Sequence, residues 1–97
     1  MNASVRKYKV SDAAKIASEV EKEFVPIVKE VDGFGGYYLV DGGDGTLYTI
    51  TVAASQEAVE ESAAKASEWV QGNETVSGLI EGAPEVGNGE VLLSVSA

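Results

Sequence analysis

The stretch FGGYYLVDGGDGTLYTITVA, residues 34–53, contains two runs that favour β-strands with a turn between them. Residues 34–40 and 46–53 are rich in aromatic and β-branched side chains, which fit a pleated sheet. Residues 41–45 are only Asp and Gly, and Gly supplies the positive φ that tight hairpin turns need. This stretch therefore predicts a β-hairpin.

A helix is predicted before the hairpin. Asp12 or Ser11 offers a capping oxygen, and apolar residues then recur mostly three or four positions apart from Ile16 to Val31. Charged residues occupy the solvent side of this helix, including Lys15, Glu19, Glu21, Lys22 and Glu23. Pro26 lies within the apolar stripe, which keeps its phase beyond it, so we expect a bend there rather than an end. Gly33 is expected to stop the helix.

A second helix is predicted after the hairpin, from the cap Ser55 to Gly72-Asn73. Its apolar stripe is made mostly of small residues, among them Ala63 and Ala66. A face of small residues lets the helix approach the sheet closely or leaves a space there. Both interpretations stay open at the level of sequence.

Two further strands are predicted, at residues 3–10 and 86–96, with a loop over residues 74–85. The order is then β-α-β-β-α-β in a single domain over residues 1–97. This order is typical of the ferredoxin-like α+β fold, a four-stranded antiparallel sheet with two helices on one face.

The other face of the sheet is also predicted to be apolar. Strand alternation places Tyr37 and Leu39 opposite Tyr38 and Val40, and places Leu47 and Thr49 opposite Tyr48, Ile50 and Val52, so both faces carry apolar or aromatic side chains while helices can cover only one. An antiparallel sheet with a solvated face should instead carry polar residues there. We therefore expect a homodimer in which two sheets pack face to face, forming an α/β barrel.

The composition excludes several classes of chemistry. The chain has no Cys and no His, which excludes disulfides, thiolate or imidazole metal sites and His-based proton transfer. A calcium loop starting at Asp41 would need a carboxylate twelve positions on, where Val52 stands. We expect no metal and no cofactor.

The net charge is −9, from 7 basic and 16 acidic residues. Such a surface repels phosphate backbones and anionic lipids, so neither a nucleic acid nor a membrane is an expected partner. An acidic excess also suits a protein that works at high salt. The N-terminal residues lack the apolar run of about 7–15 residues of a signal peptide, and we expect a cytoplasmic location.

Residues 24–70 resemble the antibiotic biosynthesis monooxygenase-like domains of the dimeric α/β-barrel superfamily. The features that carry the resemblance are Pro26 in the first helix, Gly33-Phe34 at the start of the second strand, Tyr37-Tyr38, the Asp/Gly hairpin, and Glu68-Trp69-Val70 at the end of the second helix. The resemblance implies a homodimer with a pocket in each subunit between sheet and helices. It also implies a small aromatic or quinone-like ligand there, and cofactor-independent monooxygenation as a reaction class.

The family's chemistry carries over in part. Haem-degrading and quinol-oxidising relatives use a His, which this chain lacks. Relatives that oxygenate anthrones use an Asn one turn before the helical Trp, with nearby Tyr and Arg residues. Here Lys65 stands one turn before Trp69, and the chain's single Arg is Arg6.

Tyr8, Tyr38, Tyr48 and Trp69 are the candidate ligand-binding side chains, because they could stack on a planar ligand and orient it by hydrogen bonds. The alternative is that they pack in the core and the dimer interface. Asn73 could bind the ligand or act as a helix cap.

Arg6 could pair with a ligand carboxylate or with Glu90 on the neighbouring strand. No residue is assigned a catalytic role, and enzymatic activity stays open. The competing hypothesis is a non-catalytic homodimeric module, structural or stress-related, with a filled core. A ligand site needs a cavity of roughly 300 Å³ or more, and a filled core needs none.

Overall fold

A computed structural model describes all residues, Met1–Ala97. In chain order the elements are β1 (Asn2–Val10), α1 (Ala13–Glu19), a π-helical turn (Val20–Phe24), α2 (Val25–Val28), β2 (Phe34–Gly43), β3 (Thr46–Ala53), α3 (Gln56–Gly72), α4 (Glu74–Leu79) and β4 (Ile80–Glu90). The four strands form one antiparallel sheet in the order β2-β3-β1-β4. This confirms the ferredoxin-like fold predicted from the sequence.

The first helix continues past Pro26, as the apolar stripe predicts. Asp12 caps α1 by accepting the backbone N–H of Lys15 at 3.0 Å. The helix then widens into the π-helical turn just before Pro26 and continues as α2. Pro26 has no N–H to donate, and its ring crowds the carbonyl four residues earlier, which a wider turn relieves. The helix ends at Val28, earlier than the expected stop at Gly33, and Gly33, with φ +88°, lies in the turn that leads into β2.

The region after α3 differs from the prediction. Residues 74–79 were expected to be a loop and form α4, whose Val76 is 1% exposed in the core. The N-cap of α4 is Asn73, which accepts the backbone N–H of Val76 at 3.0 Å. A single turn of helix capped by one side chain has too short an apolar pattern to be recognised by periodicity.

The last strand also lies earlier than predicted, at Ile80–Glu90 rather than 86–96. Residues 91–97 have no regular structure, and their larger apolar side chains are exposed, Leu92 at 90%, Leu93 at 81% and Val95 at 83%. Residues 80–90 form the strand because they pair with β1, although they are rich in Gly and Glu, which disfavour strands. Pairing within the sheet therefore overrides intrinsic strand propensity here.

Opposite charges and a register shift accompany the pairing of β4 with β1. Lys7 lies opposite Glu85 and Lys9 opposite Glu81, so the register shifts between the two pairs. Gly82, with φ +72°, and Pro84 occupy the shifted segment. Both residue types are expected at a bulge in an edge strand.

The core lies between the helices and one face of the sheet. Its largest cluster joins both helical regions to the central strands and contains Val10, Ile16, Val20, Phe24, Val28, Leu47 and Val76. On β3 burial alternates strictly, with Leu47, Thr49, Thr51 and Ala53 buried and the residues between them partly exposed. No helix in the structure is long and apolar enough to cross a membrane.

The face of the sheet away from the helices is apolar, as predicted. Among its side chains Val5 is 44% exposed, Tyr38 58% and Val40 45%. Tyr48, Ile50 and Val52 lie between them on β3. Nothing within this chain covers this surface, which we call the open face.

Candidate functional site

The space between sheet and helices is a small apolar cavity of about 30 Å³. Its walls come from every layer of the fold and are Tyr8, Ile16, Val20, Phe24, Tyr37, Leu39, Leu47, Thr49, Ala66, Trp69, Val70, Val76 and Ile80. A space this small holds a water or two and no aromatic ligand. As the side chains stand in the structure, the inner cavity is nearly filled.

Three aromatic rings account for the filling. Phe24, 1% exposed, lies between Tyr37 and Trp69. Its ring centroid is 5.5 Å from that of Tyr37, edge to face, and 5.6 Å from that of Trp69, at a tilt of 36°. Aromatic pairs at such separations contribute about 0.5–1.5 kcal/mol each beyond the area they bury. The π-helical turn ends at Phe24 and so helps to place the central ring.

Tyr8 and Thr49 line this cavity from the sheet side, and Arg6 lies beside them without lining it. Arg6, Tyr8 and Thr49 all project from the central strands towards the helices, and Arg6 lies directly opposite Thr49. Arg6 Nη1 donates to Tyr8 Oη at 3.5 Å, which is long for a hydrogen bond. The guanidinium pairs with no carboxylate of the chain.

The alternative pairing of Arg6 with Glu90 does not occur. Arg6 lies opposite Val86 on β4, whereas Glu90 lies opposite Asn2 at the far end of the strand. The ion pair that the structure does contain, Lys7 with Glu85 at 3.9 Å, is on the open face. A partly buried guanidinium without an acid is therefore available to an anionic group from outside the chain.

The surroundings of Tyr37 shift the pKa of its phenol. Burial raises the pKa of Tyr37 to about 12, and the neighbouring Tyr8 adds to the rise. Arg6 and a hydrogen bond with Thr49 act in the opposite direction. Tyr37 therefore stays protonated over the physiological range and can donate a hydrogen bond to a ligand oxygen.

A second polar group lies where the first helix meets α3. The Glu23 carboxylate belongs to the π-helical turn, and its Oε1 accepts the indole N–H of Trp69 at 3.2 Å and the side-chain amide of Asn73 at 3.3 Å. Hydrogen bonds to a charged group contribute about 1.5–3 kcal/mol when shielded, and less where one partner is exposed, as Glu23 is. Glu23 thus fixes the outer edge of the Trp69 indole.

Outside Trp69 lies a second, open groove of about 290 Å³. It is lined by Glu23, Ile27, Lys65, Glu68, Trp69, Gly72 and Asn73. Trp69 is the single residue that lines both this outer groove and the inner cavity. Its indole is therefore the partition between the two spaces.

The predicted site residues fall into two groups. Tyr8 and Trp69 line the inner cavity, and Asn73 lies at the outer groove, where it also caps α4. Tyr38 and Tyr48 lie on the open face, so the sheet separates them from both spaces. The structure does not bring these two tyrosines together with the other three residues.

Sequence reasoning missed two contributors, Glu23 and Tyr37. Glu23 was assigned to the solvent side of the helix and is exposed there, but its contacts with Trp69 and Asn73 depend on the approach of α3, which the helical pattern does not show. Strand alternation placed Tyr37 on the face opposite Tyr38 without showing which face the helices cover, and Tyr37 was not selected as a site residue. Of the two small residues of α3, Ala66 lines the cavity and Ala63 does not. No group of three or more acidic residues is arranged to hold a metal ion.

Neither a protein-family model nor a curated protein sequence matches this chain. Solved structures do match it along its length. A monooxygenase from the gene ActVA-Orf6 of Streptomyces coelicolor, in complex with the ligand nanaomycin D, aligns over 99% of this chain and 91% of its own, with a TM-score of 0.74 and 17% identity.

Two further structures are similarly close. SnoaB, a cofactor-independent oxygenase from Streptomyces nogalater, aligns over 99% of this chain and 97% of its own, with a TM-score of 0.71 and 15% identity. A protein of unknown function from Nitrosomonas europaea aligns over 99% and 93%, with a TM-score of 0.78 and 14% identity. At these identities the likeness establishes the fold, which this chain shares with these proteins and with a putative antibiotic biosynthesis monooxygenase from Nitrosomonas europaea, in agreement with its sequence resemblance.

Proposed function

We propose that this protein binds a small planar aromatic or quinone-like molecule, with an ionisable oxygen, between its sheet and its helices. The observation that carries this proposal is Arg6, a partly buried guanidinium that faces the helices and pairs with no acid of the chain. Removing a charge from water without a partner is costly, and an anionic ligand would supply the partner that this partly buried guanidinium lacks. The aromatic walls of the inner cavity suit the ligand's planar body.

The reaction class that this arrangement supports is oxygenation without a cofactor, as in the oxygenase SnoaB. A CH₂ group between the aromatic ring and the ring of a carbonyl loses a proton to bulk solvent as the ligand binds, and the resulting carbanion is stabilised as a phenolate or enolate. Oxygen then enters, so that CH₂ and O₂ become C=O and H₂O. Arg6 would stabilise the anion, Tyr37 would donate a hydrogen bond to its oxygen, and Phe24 and Trp69 would exclude water. Catalysis is thus a proposal that depends on binding.

Binding can be tested with the hydroxyanthraquinone quinizarin, whose visible spectrum shifts to the red when a phenol ionises. We expect the protein to bind quinizarin and to favour its anion. Arg6→Met should weaken binding about tenfold or more, because a charged hydrogen bond is lost. Lys7→Met is the matched control, since Lys7 is the adjacent residue on the same strand and projects from the opposite face. Equal losses in both variants, or no red shift in the wild type, would overturn the proposal.

We further propose that the chain forms a homodimer through its open face. The support is a continuous apolar surface of exposed Val5, Tyr38 and Val40 beside Ile50 and Val52. Analytical ultracentrifugation should show a dimer at micromolar concentration, and Val40→Asp should convert it to monomer. Ile27→Asp places the same charge at an exposed apolar residue on the helical side and should leave the dimer intact. A monomeric wild type would contradict the barrel assembly.

The second candidate function is a non-catalytic homodimeric module with a filled core. The observation that favours it is the small volume of the inner cavity, about 30 Å³. Native mass spectrometry of freshly purified protein separates the two candidates. A dimer that carries an additional small-molecule mass supports the ligand-binding function, and a dimer that never binds quinizarin supports the filled module.

A further inference from the structure

We propose that the Trp69 indole is a movable partition between the inner cavity and the outer groove. Its hydrogen bond to Glu23 holds it in place, and we call Glu23 the latch. When this bond breaks and the indole moves, the two spaces join into one ligand site. This inference rests on the proposed ligand-binding function and specifies where the ligand enters and what controls its entry. It also reconciles a nearly filled core with a binding role.

The position of Trp69 on α3 supports this proposal. Ala66, one turn earlier, lines the inner cavity, and Lys65 lines the outer groove. Both residues are partly buried, so Trp69 lies between a small residue that faces the inner cavity and a charged residue that faces the outer groove. Since Ala66 occupies little volume, rotation of the indole opens the space above it.

The attachment of Trp69 is asymmetric. Its inner edge packs on the buried ring of Phe24, whereas its outer edge depends on one hydrogen bond to Glu23, an exposed side chain. Asn73 donates to the same carboxylate oxygen, and its own position is fixed because it caps α4. Glu23 is thus held on one side by a rigid partner and holds the indole on the other.

The π-helical turn contains two residues that contact the Trp69 indole, Glu23 and Phe24. Glu23 and Phe24 are adjacent, yet one projects to the outer groove and the other lies buried against Trp69. A π-helical turn in an otherwise regular helix often marks a functional position. Here it places the latch and the packing partner on the two sides of the same indole.

The joined space suits a ligand with a planar body and a polar end. The groove alone offers about 290 Å³, so groove and cavity together reach the lower range of volumes that hold drug-sized molecules, roughly 300 Å³. The planar body would stack against Phe24 and the displaced Trp69, with its ionisable oxygen directed to Arg6. The opposite end would remain in the outer groove beside Lys65.

The latch can be tested without any ligand, because Trp69 is the chain's only tryptophan and reports on itself. Fluorescence quenching by acrylamide, a neutral quencher, measures how freely solvent reaches the indole. Glu23→Ala should raise the quenching constant, and Glu23→Gln, which keeps an acceptor oxygen, should not. Glu21→Ala is the matched control for charge, because Glu21 lies on the same turn and makes no hydrogen bond to Trp69. An unchanged constant in Glu23→Ala would overturn the latch.

Ligand entry is then measured by stopped-flow mixing with quinizarin, which quenches Trp69 fluorescence. If the binding-competent state is a minor population, releasing the latch raises that population, and Glu23→Ala should increase the association rate about tenfold. Equal rates in Glu23→Ala, Glu21→Ala and the wild type would refute the gating role. A third outcome is that quinizarin binds to none of these proteins while acrylamide quenching still rises in Glu23→Ala. The proposed ligand-binding function and the gating role would then both be wrong. Only the restraint of Trp69 by Glu23 would be supported.

Discussion

Trp69 donates its indole N–H to Oε1 of Glu23 across 3.2 Å, although 46 residues separate them in the sequence. This contact joins the two long helical segments at the point where the inner cavity would otherwise open to solvent. The fold needs no polar contact there, since Phe24 already packs against the ring of Trp69. The bond determines instead which orientation of the indole is favoured.

The nearly filled core predicts that Ala66→Leu is destabilising. The additional methylene and methyl groups exceed the 30 Å³ of free space, so surrounding side chains must shift, at a cost of about 1–3 kcal/mol in the free energy of unfolding. Ala64→Leu, on the exposed side of the same helix, should change it by less than about 0.5 kcal/mol. Urea denaturation measures both. Equal stability of the two variants would indicate a larger cavity in solution.

The raised pKa of Tyr37 predicts that the folded protein loses stability at alkaline pH. Its pKa is raised to about 12 in the folded protein and is about 10 when unfolded, so the folded state binds the proton more tightly. The resulting stabilisation is complete below pH 10 and is lost as the pH rises to about 12. A difference of about two pKa units corresponds to about 2–3 kcal/mol in the free energy of unfolding.

The check for Tyr37 is a comparison of the wild type with Tyr37→Phe. Between pH 10 and 12 the free energy of unfolding should fall less in the variant than in the wild type, because the variant lacks this phenol. The difference between their absorbance titrations at 295 nm should show one phenol with an apparent pKa near 12. A difference titration centred near pH 10 would show that solvent reaches Tyr37 in the folded protein.

The charge distribution predicts that salt stabilises the protein. The chain carries a net charge of −9, and the structure contains a single ion pair, Lys7 with Glu85, which is exposed. Screening therefore removes much repulsion and little attraction. The melting temperature should rise with KCl, by roughly 4–8 °C for each kcal/mol of repulsion removed. Glu61→Lys should reduce this rise, and a flat or falling salt dependence would contradict the argument.

The fold was predictable because its decisive signals are local. Alternation along residues 46–53 predicted that Leu47 and Thr49 point to one face of the sheet and Tyr48 and Ile50 to the other, as observed, and the structure shows that the first pair faces the helices. The helical phase on either side of Pro26 likewise predicted a bend rather than an end. In each case one residue's neighbours in sequence are enough to determine its environment.

The position of β4 and the composition of the site were less predictable, because both depend on contacts between distant segments. The apolar run after Glu90 is the better strand by propensity, yet the segment that pairs with β1 begins at Ile80, where opposite charges and a bulge fit the register. Glu23 is an ordinary surface acid by its pattern. Only the π-helical turn and the approach of α3 give it Trp69 and Asn73 as partners.

The last prediction separates the two roles of Asn73. Its Oδ1 caps α4, and its Nδ2 donates to Glu23. Asn73→Ala removes both and should lower the free energy of unfolding by about 1 kcal/mol or more. Asn73→Asp keeps a capping oxygen but places a second carboxylate against Glu23, so it should also destabilise, by like-charge repulsion.

The repulsion is removed when Glu23 is neutral. Asn73→Asp should therefore cost much less in a Glu23→Gln background, and the coupling in a double-mutant cycle should exceed about 0.5 kcal/mol. Urea denaturation at pH 7 gives all four values. If Asn73→Asp were equally harmful in both backgrounds, repulsion between the two carboxylates would contribute nothing to the loss, and the prediction would be wrong.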